Sequence, residues 1–334
     1  MASQQVQPKV IIHGGAGSSL QGKGGVEAVR ALLYEVVNRV YDAVVQGGAA
    51  TEAVVLGCRL LEDLPRFNAG TGSVLQSDGQ IRMSASLMDG AAQRFSGTIN
   101  VSRIQNPIEV AAFLQNSPDR VLSDFGSADL VRELGLPVFN PLTEVRLQEW
   151  LQDRRDNVRR SMAATVAETV DDPTAVDRQT VAATSPDPEA GRGTIGVVVL
   201  DQQGRIAAGT STGGKGFERI GRVSDSAMPA GNYATARAGI SCTGIGEDII
   251  DECLAAKIVI RVTDGATLHD AFDRSIQEAA GNQRDLGAIG VDATGVIAWG
   301  KTSEVLLAAY HDGQNLGDTL ELPDGPQVGS VASQ

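Results

Sequence analysis

The sequence predicts a mixed α+β protein, with helices dominating before residue 168 and strands concentrated after residue 193. Three observations carry this. Val29, Leu33, Val36, Val37, Val40 and Val44 recur at helical spacing in the first half. In the second half β-branched runs appear, of which TIGVVVLD at 194–201 is the clearest. Several of these runs are apolar on both faces, so the sheets they build should be covered on both sides.

Taken in order, Lys9–His13 reads as a short strand running into the loop His13-Gly14-Gly15-Ala16-Gly17. The helix on the Val29–Val44 positions follows, and a second helix, about 51–64, ends at Pro65. Asp78-Gly79 is the strongest short hairpin signal in the chain and predicts a hairpin there. Asn106-Pro107 supplies an N-cap and a first helical position for a helix through Gln115. Further helices are expected around 124–134 and 143–164. Residues 168–193 hold Pro173, Pro186 and Pro188 with no apolar period and read as a flexible linker.

After it come strands at 194–200 and 205–211 around the turn Asp201-Gln202-Gln203-Gly204, then a glycine-rich loop and a strand at 237–242. Helices near 247–262 and 268–280 follow, the second capped by Thr267 with Asp270. Strands near 287–291, 296–299 and 304–310, with Asp292-Ala293-Thr294-Gly295 as a turn, finish the core. The final residues are polar and expected to fray. No internal repeat is present.

Composition narrows the function. With 334 residues, 42% hydrophobic and 21% charged, the chain can bury a large core. Glycine, at 39 residues, is well above the usual level of roughly 7%, so many turns or close backbone approaches are expected. A formal charge of −13 disfavours nucleic acid and anionic membrane as partners, since both need a basic face. The N-terminal sequence MASQQVQPKVIIHGG lacks the pattern of a secretory signal, and no stretch approaches the apolar length of a membrane span. Cys58, Cys242 and Cys253 are too few and scattered for a disulfide framework and read as small buried thiols in a reducing cytoplasm.

The junction Gly193-Thr194 is the chain's sharpest change of character. A flexible segment feeding a threonine at the lip of a core strand suits self-cleavage into a new N-terminal threonine; an ordinary loop-to-strand transition has the same appearance. Three Thr/Gly clusters follow. Gly209–Lys215 (GTSTGGK) nearly fits a phosphate-binding loop, but Gly216 stands where the magnesium-binding hydroxyl belongs, and a plain glycine turn fits as well. Gly221–Asp225 (GRVSD) carries Arg222 and Asp225, which form either a surface ion pair or a grip on the carboxylate and ammonium of an amino acid head group. Ser241–Glu247 (SCTGIGE) suits either a helix entry or a site for a developing oxyanion.

Other chemistries are excluded more firmly. There is no GxSxG elbow, no HExxH or Cys/His zinc spacing, and no GxGxxG at a strand-to-helix junction. A hydrolase here has to work without histidine. An N-terminal threonine does so, because its own α-amine, with a reference pKa of about 7.7–8.0, can take the hydroxyl proton near neutral pH.

GTIGVVVLD, TSTGG, GRVSDS and SCTGIGE, in that order, with HGGAG at 13–17, RFNAGTG at 66–72 and MDG at 88–90, resemble the plant-type asparaginase/isoaspartyl peptidase family of N-terminal-nucleophile threonine hydrolases, its cyanobacterial and bacterial members in particular. The likeness runs from about Lys9 to Tyr310, excluding the linker. It implies a single domain over 1–334 with a four-layer αββα sandwich, cut between Gly193 and Thr194 into an α subunit (1–193) and a β subunit (194–334). Two such αβ pairs would associate into a heterotetramer. The implied substrates are small β-aspartyl dipeptides and L-asparagine; a glycosylasparaginase-like hydrolase is the alternative within the class. A non-catalytic nucleotide-binding or structural protein is the alternative outside it.

By the same likeness the Thr194 hydroxyl is the nucleophile and its freed amine the base, with Thr212 orienting it. Thr243 and the Gly244 N–H form the oxyanion hole. Arg222 holds the substrate α-carboxylate, Asp225 its α-amino group, and Gly246 lines that pocket. Asn68 matches the asparagine of the family's FNAG turn, near the nucleophile. No cofactor is required, but the backbone of Leu61, Glu62, Leu64, Phe67, Ala69 and Thr71 matches a segment that wraps a structural sodium ion in some relatives. The chain departs from the family pattern at Phe217-Glu218 (usually Asn-Lys), at Ser224 (usually Gly), in SAMPAGNYA after Asp225, and at Met83-Ser84-Ala85.

Overall fold

The computed structural model describes residues 6–17, 24–168 and 193–332. The linker expected over 168–193 lies outside the described residues except for its two ends. The strands are β1 (Lys9–Gly17), β2 (Met83–Asp89), β3 (Arg94–Val101), β4 (Val121–Ser123), β5 (Ile195–Leu200), β6 (Ile206–Thr212), β7 (Asn232–Ala234), β8 (Ala238–Gly244), β9 (Leu286–Asp292), β10 (Ile297–Lys301), β11 (Val305–His311), β12 (Leu316–Asp318) and β13 (Gln327–Val331). They form an eight-stranded sheet, ordered β12-β11-β1-β5-β6-β2-β3-β4, and a five-stranded sheet, ordered β13-β10-β9-β8-β7. The helices are α1 (Val26–Val45), α2 (Ala50–Glu62), α3 (Pro107–Leu114), α4 (Asp124–Glu133), α5 (Glu144–Glu168), α6 (Gly246–Glu252), α7 (Leu254–Thr263) and α8 (Leu268–Gly281).

The period-2 alternation of a strand decides what each face touches. On β5, Ile195, Val197 and Val199 pack with Val29, Leu33, Val54 and Cys58 of α1 and α2, while Val198 and Leu200 pack with Ile289, Val291 and Ile297 of the second sheet. The far face of the second sheet carries Ala238, Ile240 and Cys242, which meet Ile258 and Val259 of α7 and Phe272 and Ile276 of α8. The fold is thus a mixed α+β one in which strands such as β5 meet helices on one face and another sheet on the other, which is why they are apolar on both faces.

The structure corrects several expectations. The HGGAG segment is not a loop: β1 continues through Gly17, with a register irregularity between His13 and Ala16. Asp78-Gly79 is a turn, with Gly79 at φ 78°, but no hairpin. Its flank instead receives α5, since the Gln76 carbonyl accepts from Trp150 Nε1, and the hairpin turn lies at 90–93 between β2 and β3. Asn106 stands at the N-cap of α3 without a capping bond, because its amide donates to Asp63. The helix expected over 247–262 is two helices broken at Cys253, which sits in the left-handed region at φ 46° and is exposed rather than buried. Gln327–Val331, expected to fray, pairs along β10 instead. The short strands β4, β7 and β12 had no signal strong enough to read. The cap of α8 is as expected, with Thr267 Oγ1 accepting from the Asp270 N–H at 3.1 Å.

Candidate active site

Thr194 precedes Ile195 at the entrance of β5, two residues before Gly196 and four before Val198, so its side chain faces the second sheet. Its hydroxyl donates to Thr212 Oγ1 at 3.3 Å. Thr212, the last residue of β6, also accepts from the Gly214 N–H at 3.2 Å and donates to the Gly193 carbonyl at 3.5 Å. Asn68, fully buried, donates its amide to that same carbonyl at 2.9 Å and to the Gly214 carbonyl at 2.6 Å. Its own oxygen accepts from the Val74 N–H at 3.0 Å, which fixes the amide's direction. The carbonyl of the bond expected to break is thus held by two donors beside a hydroxyl aimed by a third group.

Gly193 has a φ of 154°, and a Cβ there would meet nothing closer than 3.7 Å. Backbone conformation, rather than crowding by a side chain, is what calls for glycine at this position.

The register between the sheets places the oxyanion candidate. A Cβ on Gly239 of β8 would touch Val198 of β5 at 3.1 Å, and one on Gly196 of β5 would fall 2.0 Å from Ser241 of β8. Steps of two along β8 therefore match steps of two back along β5, and the next step sets Thr243 opposite Thr194. Thr243 is fully buried, and its hydroxyl has no hydrogen-bond partner among the described residues. A buried orphan hydroxyl costs stability, and a nascent oxyanion would satisfy it. Gly244 has a φ of 130° with the Asp285 carbonyl 2.6 Å from where a Cβ would sit, so only glycine fits beside Thr243.

Arg222 and Asp225 do not pair with each other as a surface couple. Asp225 is buried, and Arg222 instead binds Glu247 through Nε at 3.1 Å and Nη2 at 2.9 Å. Lys215 adds a second contact to Glu247 at 3.2 Å. Burial opposes the charge on Glu247, but the hydrogen bonds and charge of Arg222 outweigh it and hold the carboxyl at about 2. A Cβ on Gly246 would lie 2.5 Å from Arg222 Nη2 and 2.8 Å from Asp225 Oδ1, so this glycine keeps the two charged groups close and open.

One oxygen of Asp225 accepts from the Ser224 hydroxyl at 3.1 Å, and the other has no partner among the described residues. Burial pushes its carboxyl up to about 6, with Arg222 opposing the shift. Ionised Asp225 therefore costs about 3 kcal/mol of stability at neutral pH. The carboxyl's raised affinity for its proton supports the fold below pH 3.8, and that support is lost as pH rises to about 6. Asp225→Asn is expected to raise Tm at pH 8 and change it little at pH 4; thermal unfolding at both pH values checks this, and an unchanged Tm at pH 8 would refute it.

The departures from the family pattern have local work. Phe217 sets its ring beside Trp150, with centroids 6.4 Å apart, while backbone bonds that any residues would make, Phe217 N–H to the Leu75 carbonyl at 2.8 Å and Ser77 N–H to the Glu218 carbonyl at 3.0 Å, tie the 213–222 loop to 75–77. Ser84 accepts from the Asn100 N–H at 3.2 Å, and the Asn100 amide supports the Arg222 carbonyl at 3.2 Å. No helix follows Lys215: residues 213–224 contain none, so the phosphate-loop reading lacks the helix N-terminus it needs.

In the Leu61–Thr71 segment the Leu61, Leu64 and Ala69 carbonyls accept backbone N–H groups of Leu64, Phe67 and Gly72. The loop is tight: a Cβ on Gly70 would meet the Glu62 carbonyl at 2.2 Å, and one on Gly72 the Phe67 carbonyl at 1.8 Å. Glu62 is fully buried where α2 ends, accepts from the Ile108 N–H at 3.2 Å, and burial pushes its carboxyl up to about 8. Among the described residues no group of three His, Cys, Asp or Glu could hold a metal, and no helix is long and apolar enough to cross a membrane.

Sequence reasoning left Glu247, Ser224, His13 and Ser241 without roles. An acid in the first turn of α6, directly after Gly246, was the available signal for Glu247.

A family model described as "Asparaginase" matches residues 6–321. The chain is 67% identical to a protein of Nostoc sp. named isoaspartyl peptidase/L-asparaginase, over 98% of this chain and 99% of that one. It is 62% identical to a Synechocystis sp. protein of the same name, over 97% and 94% respectively. A plant-type L-asparaginase of Pyrococcus horikoshii is 32% identical over 94% of this chain and 98% of that one.

Proposed function

This chain belongs to the asparaginase family, and from that premise we propose that it is an isoaspartyl peptidase/L-asparaginase. It matures by cleaving its own Gly193–Thr194 bond and then hydrolyses β-aspartyl dipeptides and L-asparagine to release L-aspartate. The observation that carries this is the Thr194–Thr212–Gly193 arrangement: a hydroxyl, its orienter and a polarised carbonyl in one buried chain of hydrogen bonds.

In maturation the Thr194 oxygen adds to the Gly193 carbonyl carbon, and the developing oxyanion faces Asn68 and Thr212. The C–N bond then breaks, the nitrogen takes a proton to become the Thr194 amine, and water cleaves the ester left on the hydroxyl. In turnover that amine accepts the hydroxyl proton. Arg222 holds the substrate α-carboxylate through the edge that Glu247 leaves free, and ionised Asp225 holds the α-ammonium. Attack on the side-chain carbonyl places the oxyanion at Thr243 and the Gly244 N–H. The leaving amine departs with a proton, and water hydrolyses the aspartyl ester.

The same reading carries the αββα sandwich of N-terminal-nucleophile hydrolases, supported by the order of packed layers, and a dimer of αβ pairs. It also carries an alkali-ion site on the backbone carbonyls of the Leu61–Thr71 loop. Neutral oxygen donors crowded against glycines are the chemistry a hard monovalent cation takes, and no step of hydrolysis uses it. A Tm that is unchanged between sodium and caesium buffers would remove that ion.

Arg222→Ala tests the reading directly. Maturation should proceed, since no α-carboxylate takes part in it, while kcat/KM for a β-aspartyl dipeptide falls by about 30-fold or more. In the parent enzyme kcat/KM should fall below pH 6 as Asp225 takes a proton. An unaltered Michaelis constant in Arg222→Ala would take that residue out of the site.

A further inference from the structure

Between the two sheets lies an apolar layer of Ile11, Val198, Leu200, Ile206, Ala208, Ile289 and Val291. Among the described residues two buried polar groups cross it: Asn232 of β7 donates to Ser86 of β2 at 2.9 Å and to the Ala208 carbonyl of β6 at 3.2 Å, and a second group lies beside Thr194 and Thr243. His13 of β1, Thr210 of β6 and Ser241 of β8 are all fully buried. The Ser241 hydroxyl lies 2.9 Å from His13 Nε2 and 2.7 Å from Thr210 Oγ1, bridging them. Burial holds the imidazole neutral, its pKa lowered to about 3, with the Thr194 backbone opposing that shift.

Strand β5 runs between β1 and β6, and it presents Gly196 at this point. A Cβ there would fall 2.0 Å from Ser241 Oγ and 2.3 Å from His13 Nε2. Ser241 of the second sheet therefore sits in a slot of the first, with a wall of hydrogen-bonding groups on each side. Apolar contact between sheets is non-directional and tolerates sliding; hydrogen bonds to two strands of the facing sheet do not. The slot is one two-residue step from the catalytic pair, since Gly196 follows Thr194 by two and Ser241 precedes Thr243 by two.

We propose that His13, Ser241 and Thr210 form a clamp that fixes the sliding register of the two sheets, and so holds Thr243 where the oxyanion made by Thr194 forms. They are positioning residues for turnover, and the inference rests on the hydrolytic reading above. Within the clamp only His13 meets the Thr194 backbone, and the Gly193 carbonyl is held by Asn68 and Thr212, so Ser241 and Thr210 bear on turnover rather than on maturation.

The test is Ser241→Ala in the full chain, with a β-aspartyl dipeptide as substrate, cleavage followed by intact mass and folding by thermal unfolding. The expected result is kcat lowered roughly 10- to 100-fold, KM within about twofold of the parent, and Gly193–Thr194 cleavage at the parent rate. Thr210→Val should lower kcat likewise, and Thr210→Ser, which keeps the hydroxyl, should restore it. If Ser241→Ala does not fold, the Val/Ser pair at Thr210 carries the same reading. Parent-like kcat in the folded variants, a change confined to KM, or equal slowing of cleavage and turnover would each overturn the clamp. Parent enzyme without turnover would overturn the hydrolytic reading, whereas an active parent with unaffected variants overturns the clamp alone.

Discussion

Thr194→Ala is expected to remain a single species of 34.8 kDa on prolonged incubation, with turnover lost by a factor on the order of 10⁶. Both effects come from one atom. In the proposed function the hydroxyl attacks the preceding carbonyl in maturation and the substrate carbonyl afterwards, and His13, sealed between the sheets and neutral, does not stand ready to replace it. Little else should change, because the hydroxyl's bond to Thr212 Oγ1, at 3.3 Å, is long. Fold loss would therefore not confuse the result. Intact-mass measurement decides it, and fragments of 193 and 141 residues from the variant would place the nucleophile elsewhere.

The second large effect is a separation of the two reactions. Asn68→Ala removes the amide that holds the Gly193 carbonyl at 2.9 Å, so maturation should slow by about 10²–10³-fold. Thr243→Val, which keeps shape and removes the buried orphan hydroxyl, should mature at close to the parent rate and lose about 10²–10³-fold in kcat. One nucleophile would thus serve two oxyanion sites, one on either side of it. Removing the unpartnered hydroxyl should also leave Thr243→Val at least as stable as the parent. Rates of chain cleavage and of dipeptide hydrolysis, measured side by side, check the pair; equal losses in both reactions for both variants would mean a single shared hole.

Much of this was legible beforehand because it is written in local chemistry. The change from a proline-rich stretch to TIGVVVLD announces Gly193-Thr194, and the helical spacing of Val29 to Val44 announces α1. What stayed hidden depends on contacts between distant segments. Glu247 closes the SCTGIGE motif that held Gly246, but its meaning lies in Arg222, 25 residues earlier. Ser224 looked like a loss of glycine, and only the buried oxygen of Asp225 explains it. Gly14 to Gly17 looked like a loop after the strand ending at His13, yet pairing with β11 carries the strand on through them. Asp78-Gly79 had the right turn chemistry with no strands to join. The break at Cys253 has no glycine or proline to mark it, and shows only in the left-handed backbone of that residue.

The order of strands in the large sheet has a consequence for the life of the molecule after its chain is cut. The two strands that flank the β5–β6 pair, β1 and β2, come from the segment before Gly193, while β11 and β12, beyond β1, come from the segment after Thr194. The two products of the proposed cleavage would therefore be woven through one hydrogen-bonded surface: the five-stranded sheet lies wholly after Thr194, but neither half owns the eight-stranded one. Folding of the uncut precursor is a first-order event. Recovery of the cut protein from denaturant would be second-order, dependent on concentration and burdened by the entropy of bringing two chains together. Self-cleavage would thus commit the protein to a fold that it can keep but not readily rebuild.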